Sequence, residues 1–143
     1  MTVTRTQIVK TAQSLVGTPW KHQGRSRRGV DCVGLIYLIA KELDILPDRL
    51  DIPAYRREPD GSVRGYFDAH MHLKSPDDLK PGMVLLHSFN GSPFHASVVI
   101  NAKAGAIIHG TAARRAVVVD LFKGQKDGMR LHAAYDFKGV ADG

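Results

Sequence analysis

The texture of the chain changes at Pro81, and that change constrains the fold more than any other feature. Before it, Ile8, Val9, Ala12, Leu15 and Val16 recur at helical spacing over residues 4 to 16, and Gly17-Thr18-Pro19 stops them. A glycine- and arginine-rich loop runs to Val30. A second helix then carries Leu35, Ile36, Leu38, Ile39 and Leu43 from Asp31 to about Leu46. Residues 47 to 80 are broken by Pro47, Pro53, Pro59 and Pro76, with a short helix expected around Tyr66 to Leu73. Beyond Pro81 come short β-branched or apolar runs: Met83 to His87, Ala96 to Ile100, Ala106 to His109, Ala116 to Leu121 and Met129 to Tyr135. Helices first and strands afterwards predict an α+β fold with helices packed on a C-terminal antiparallel sheet. With 143 residues, a single domain is expected: helical over 1–46, irregular over 47–80, and a sheet over 81–140.

Composition removes several classes. Apolar residues make up 43% and charged residues 24%, so disorder, collagen and disulfide-scaffold readings are excluded. The uncharged stretch from Pro81 to Ala102 is long enough to span a bilayer, but Asn90-Gly91-Ser92-Pro93 cuts it and its polar side chains would be costly in hydrocarbon. It reads as two strands, and no membrane span is expected. Met1-Thr2-Val3-Thr4-Arg5 has no apolar segment of a secretory signal. The net charge of +6 favours polyanionic partners, yet no RNA-binding aromatic motif, zinc finger or basic zipper accompanies it. A nucleic-acid binder would rest on charge alone. The one local excess is the loop of Lys21, Arg25, Arg27 and Arg28.

Cys32 is the single cysteine, which excludes an intrachain disulfide and a multi-cysteine metal site. Asp31 suits an N-cap, placing Cys32 at the first helical position. There the unpaired N–H groups and the helix dipole favour a thiolate and could receive an oxyanion. Gly34 would leave room for a substrate at the helix end. A neighbouring carboxylate at Asp31 works against the thiolate, although an N-cap is occupied with backbone donors.

A cysteine nucleophile needs a base, and the base an orienting group. Seven histidines are available, at 22, 70, 72, 87, 95, 109 and 132. His95 opens a strand, and His109 ends the next one. If Asn101 to Gly105 form the turn, Ser97 faces His109 and His95 lies diagonally on the same face, about 7 Å away. A three-residue turn would separate the two histidines by roughly 13 Å. His70 and His72 resemble a metal pair but diverge on a helix, while His87 and His132 read as structural. His22 precedes the cysteine helix in the loop.

Three segments in order carry a family likeness. Ala12 to Leu35 reads Ala-x-x-x-x-Gly-Thr-Pro-Trp-x-His-Gln-Gly, then Gly-Val-Asp-Cys-Val-Gly-Leu; Leu79-Lys80-Pro81-Gly82-Met83-Val84 and His95-Ala96-Ser97-Val98-Val99-Ile100 with Ile107-Ile108-His109 follow. The chain resembles the NlpC-type cell-wall peptidases, papain-like cysteine peptidases, and in particular their phage-tail-associated branch. The resemblance implies Cys32 as nucleophile, His95 as general base and acid, and His109 as the group orienting His95. It implies hydrolysis of peptidoglycan stem peptides, typically between D-glutamate and a diamino acid, with no metal or organic cofactor. Asp31, His22, Arg25 and Arg28 are candidates for the oxyanion and substrate side of the site, and the loop of Arg25, Arg27 and Arg28 for stem-peptide carboxylates, because guanidinium forks suit them. Trp20 stands where many relatives have a tyrosine whose hydroxyl helps the oxyanion, and Met83 where they commonly have aspartate. The implied partners are stem peptides and phage-tail proteins, with delivery by a phage particle or through host lysis. Two other readings use the same residues: an amidase or acyltransferase, or a catalytically silent tail or wall-binding module.

Overall fold

Thr4 starts the first helix with a reciprocal cap. Its hydroxyl accepts the Gln7 N–H at 3.2 Å, and the Gln7 side chain accepts the Thr4 N–H at 2.9 Å. The computed structural model of the chain describes residues 3–45, 62–89, 92–123, 125–126 and 128–141. In chain order the elements are β1 (Val3–Thr4), α1 (Arg5–Ser14), β2 (Arg25–Ser26), β3 (Gly29–Val30), α2 (Cys32–Glu42), α3 (Ser62–His70) and β4 (His72–Lys74). They continue with β5 (Val84–Phe89), β6 (Ser92–Asn101), β7 (Ala106–Thr111), β8 (Ala116–Leu121), β9 (Gln125–Lys126), β10 (Met129–Asp136) and β11 (Val140–Ala141).

The main sheet is antiparallel with strand order β4-β10-β5-β6-β7-β8, and β9 adds to β10. β1 and β11 form a separate parallel pair that joins the two ends of the described chain. The expected α+β arrangement is therefore present. Val84, Leu86, Ala96, Val98, Ile108 and Tyr135 share one buried cluster with Ile8, Ala12, Leu35, Ile39 and Phe67 of the helices. Burying each large side chain of this set contributes about 1.5–3 kcal/mol. Met83, Leu85, Val99, Ile107, Phe122 and Ala134 form a smaller cluster that contains no helical residue.

Several boundaries differ from the sequence expectation. β6 begins at Ser92 and β7 runs on to Thr111, so His95 lies within its strand rather than opening it, and His109 does not end its own. α2 stops at Glu42 rather than near Leu46 because Leu43 caps it and Asp44 turns left-handed at φ 57°. The helix expected at Tyr66 to Leu73 begins earlier, at Ser62, and gives way at His72 to β4, which pairs with β10. The arginine-rich loop contains a short hairpin, β2 against β3. The prolines at 47, 53 and 59 and the Asn90-Gly91 half of the expected turn lie outside the described residues. Among the described residues, no helix is long and apolar enough to cross a membrane.

Candidate active site

The front of α2 is built by Asp31. One carboxylate oxygen accepts the Gly34 N–H at 2.7 Å, the N-cap bond, and the other accepts the Gln23 N–H at 2.7 Å. One buried side chain thus caps the helix and ties the 21–24 loop to it. Gly34 takes part in the same packing. A Cβ there would run into the Gly24 carbonyl oxygen, so the space at the helix end expected to admit substrate is filled by the chain's own loop. Trp20 is half-buried and bridges to Val30, its indole stacked near His22 with ring centroids 6.4 Å apart. His22 Nδ1 lies 3.9 Å from the second Asp31 oxygen.

Cys32 is the first residue of α2, as the sequence indicates, and it is half-buried. Backbone N–H groups of Ala96, Val33 and Cys32 itself hydrogen-bond to its sulfur and favour the charged form. They are outweighed. Burial, followed by the negative charge of Asp31, pushes the thiol up to about 12. The expectation that the helix end would hold the thiol ionised is corrected by this balance: the sulfur loses more in leaving water than the helix-end donors return. Gly110 completes the contact from the other side. A Cβ at Gly110 would sit 3.3 Å from the Asp31 carbonyl group, so the missing side chain lets β7 come against the helix start.

The sheet places the histidines. His87 lies directly opposite His95 between β5 and β6, and Val98 opposite Ile108 sets Ser97 across from His109 between β6 and β7. His87, His95, Ser97 and His109 consequently share a face. His95 and His109 meet: His95 Nε2 and His109 Nδ1 are 2.8 Å apart, with the rings edge to face at 5.0 Å. This is the diagonal contact of the Ser97–His109 register, reached through a bulge after Val99 and a turn over 102–105 rather than the five-residue turn from Asn101 to Gly105. His109 Nε2 reaches Asp120 Oδ2 at 3.3 Å. His87 hydrogen-bonds through Nε2 to Ser97 Oγ at 2.7 Å, lies 5.7 Å from the His95 ring, and packs edge-on against Phe122. Phe89 covers another side of His95.

These surroundings keep His95 and His87 neutral. Burial, then the adjacent His87 and His109, holds His95 well below the ordinary histidine range. Burial and His109 bring His87 down to about 3. At neutral pH the Cys32 thiol and the His95 imidazole are therefore both uncharged.

The two flanking arginines are placed differently. Arg25 donates to the Gln23 carbonyl at 3.1 Å and lies over Tyr37 at 5.9 Å. Arg28 is exposed, while Arg27 is turned away toward Glu42 at 2.7 Å and Ser14 at 3.0 Å. Among the described residues, no group of three or more His, Cys, Asp or Glu side chains gathers to hold a metal ion. Asp120 and the His87–His95 contact were not singled out by the sequence. The only available signal was register: Val118 faces His109, so Asp120, two residues on, shares its side of the sheet.

No family profile matches the sequence, and no curated protein matches it. Solved structures do match. The NlpC/p60 domain of the peptidoglycan hydrolase SagA superposes with a TM-score of 0.68 at 20% identity, over 94% of this chain and 100% of that one. An NlpC/p60 family protein from Bacillus cereus gives 0.71 at 20% identity, over 96% of this chain and 41% of that one. The peptidoglycan hydrolase RipB from Mycobacterium tuberculosis gives 0.62 at 19% identity, over 92% and 63%. The chain thus spans all of the SagA domain but less than half of the Bacillus cereus protein. Its fold is that of NlpC/p60 domains.

Proposed function

Starting from an NlpC/p60 fold, we propose that the chain is a cell-wall hydrolase, a cysteine peptidase that cuts peptidoglycan stem peptides with Cys32, His95 and His109. The observation that carries this reading is the His95–His109 hydrogen bond, 2.8 Å from Nε2 to Nδ1, on the sheet that packs against the helix Cys32 opens. The names of two structural neighbours, both peptidoglycan hydrolases, support the choice of substrate.

With Nε2 engaged by His109, Nδ1 of His95 is the nitrogen left for the thiol. As the sulfur electron pair bonds to the substrate carbonyl carbon, Nδ1 takes the thiol proton and the carbonyl π pair moves to oxygen. The N–H groups at the start of α2 stabilise that oxyanion. Collapse of the intermediate breaks the C–N bond, and His95 returns the proton to the departing amine. Water, deprotonated by the same imidazole, then attacks the thioester carbonyl, the C–S bond breaks, and the imidazolium returns its proton to the sulfur. Buried surroundings raise the energy of free thiolate, so transferring the proton during attack avoids forming it. No metal or organic cofactor enters these steps.

The bond we assign is that between D-glutamate and the diamino acid, within the phage-tail-associated branch, on the sequence likeness over Ala12 to Leu35. Arg28, which is exposed, and Arg25, half-buried, are the candidates for the stem carboxylate. Mass spectrometry of peptidoglycan digested by the protein tests the assignment. The expected products carry a new amino terminus on the diamino acid. A freed lactyl amide or acyl transfer to another amine would instead indicate an amidase or acyltransferase.

A further inference from the structure

The two ring nitrogens of a neutral imidazole are not interchangeable: one donates and the other accepts, and the partner of one decides the role of the other. His95 can take a proton from Cys32 at Nδ1 only if its own proton sits on Nε2. The His95–His109 contact does not set this, because either ring could donate across 2.8 Å. Something outside the pair must break the symmetry.

Asp120 stands at the far end of the row. Its Oδ2 lies 3.3 Å from His109 Nε2, and its Oδ1 accepts the Leu121 N–H at 2.9 Å, which holds the carboxylate in place on β8. Asp120 lies opposite Ile107, two residues from the Val118–His109 pair, so β8 presents it on the face that carries His109. A carboxylate only accepts. A neutral His109 must therefore carry its proton on Nε2, which leaves Nδ1 as an acceptor. His95 must then donate from Nε2, which leaves its Nδ1 with a lone pair.

We infer that Asp120 is a positioning residue that fixes the protonation pattern of both histidines and so presents His95 to Cys32 as a base. This rests on the peptidase reading for its consequence in catalysis, but the protonation pattern itself is independent of any substrate. Asp120 touches neither sulfur nor substrate and acts through His109. Because β8 is an outer strand of the sheet and the aspartate is only half-buried, its replacement leaves the two apolar clusters untouched.

The test is a two-bond proton–nitrogen spectrum of the 15N-histidine-labelled protein, which reports which ring nitrogen of each histidine is protonated. In the unaltered chain, Nε2–H is expected at both His95 and His109. In Asp120→Leu, the Nδ1–H form is expected to appear at one or both rings, while Asp120→Glu is expected to restore the original pattern. On the activity side, Asp120→Leu is expected to lower kcat about 10–100-fold with KM within about twofold, the scale seen when a partner orienting a histidine is removed. Unchanged nitrogen signals in a folded Asp120→Leu protein would overturn the inference, as would Nδ1–H at His95 in the unaltered chain. A changed pattern in a chain that never cleaves stem peptides would leave Asp120's role standing and remove the peptidase reading instead.

Discussion

His95 and His109 stand fourteen residues apart in sequence and are joined by one hydrogen bond, 2.8 Å from Nε2 to Nδ1. The bond depends on the β6–β7 register, which sets Val98 against Ile108 and leaves the two rings on one face. Removing His109 would leave the His95 ring free to rotate between His87 and Phe89. His109→Ala is expected to lower kcat by about 100-fold or more with little change in KM, because orientation acts in the transition state rather than in binding. His109→Gln, which can still accept from His95, should recover part of the loss. Steady-state kinetics on a purified muropeptide measure both; equal kcat for the alanine variant and the parent chain would remove His109 from the site.

Asp31 gives a prediction in which two effects separate. Asparagine caps a helix as well as aspartate does, but it carries no charge and cannot accept from both Gly34 and Gln23. Asp31→Asn is expected to cost about 1 kcal/mol for the bond to the loop. It should also lower the pH at which Cys32 reacts, since Asp31's charge is one of the causes that raise the thiol. Iodoacetamide labelling across pH reads this directly. The parent chain is expected to show a midpoint above the ordinary thiol value of ~8.5, and the variant a lower one. A midpoint unmoved by the substitution would mean that Asp31's charge is not felt at the sulfur.

Acid should weaken the fold through its neutral histidines. An unfolded histidine binds a proton near pH ~6.5, whereas burial brings His87 down to about 3 and holds His95 well below its usual range. Between those pH values the unfolded chain binds protons the folded chain refuses, so stability falls as pH falls. Each such group contributes a slope of about 1.4 kcal/mol per pH unit. Urea titrations at pH 6 and pH 4 should show His87→Gln losing less stability on acidification than the parent chain. Equal slopes would mean that His87 titrates normally. The same shifts bear on rate. His95 stays a base below pH 6.5, and the thiol stays protonated to about 12, so kcat/KM should be flat across neutral pH rather than bell-shaped.

What the sequence made legible follows the strength of its local signals. The run Ala116 to Leu121 is β-branched and matches β8 at both ends. Asp31 is a good cap, and Cys32 indeed opens α2. The His95–His109 contact followed from one of the two registers the sequence left open; Asn101 itself pairs with Ala106 past a bulge after Val99, which no local signal disclosed. Other features lacked a local signal. β4 is three exposed residues, His72 to Lys74, whose only reason to be extended is the neighbouring β10. The high thiol of Cys32 comes from burial, which the pattern around a helix start does not disclose. Asp120 reads as an ordinary solvent-facing residue until β8 is paired with β7.

Gly34 offers a check on the loop that covers the helix front. In a helix interior alanine is favoured over glycine by about 0.5–1 kcal/mol, so propensity alone makes Gly34→Ala stabilising. The Gly24 carbonyl occupies that space, however, and backbone cannot yield as a flexible side chain does. Overpacking costs about 1–3 kcal/mol, so the substitution is expected to destabilise the chain on balance. Chemical denaturation gives the sign, and a stabilised variant would mean that the loop does not lie where the structure puts it.

The nucleophile is the claim on which the proposed chemistry turns, and digestion of purified peptidoglycan by the parent chain beside Cys32→Ala tests it most directly. The parent is expected to release cleaved stem peptides, and the variant to release them at least about 10⁴-fold more slowly while remaining folded, as expected when a covalent nucleophile is lost. Cleavage by Cys32→Ala at a rate near the parent's would contradict the account.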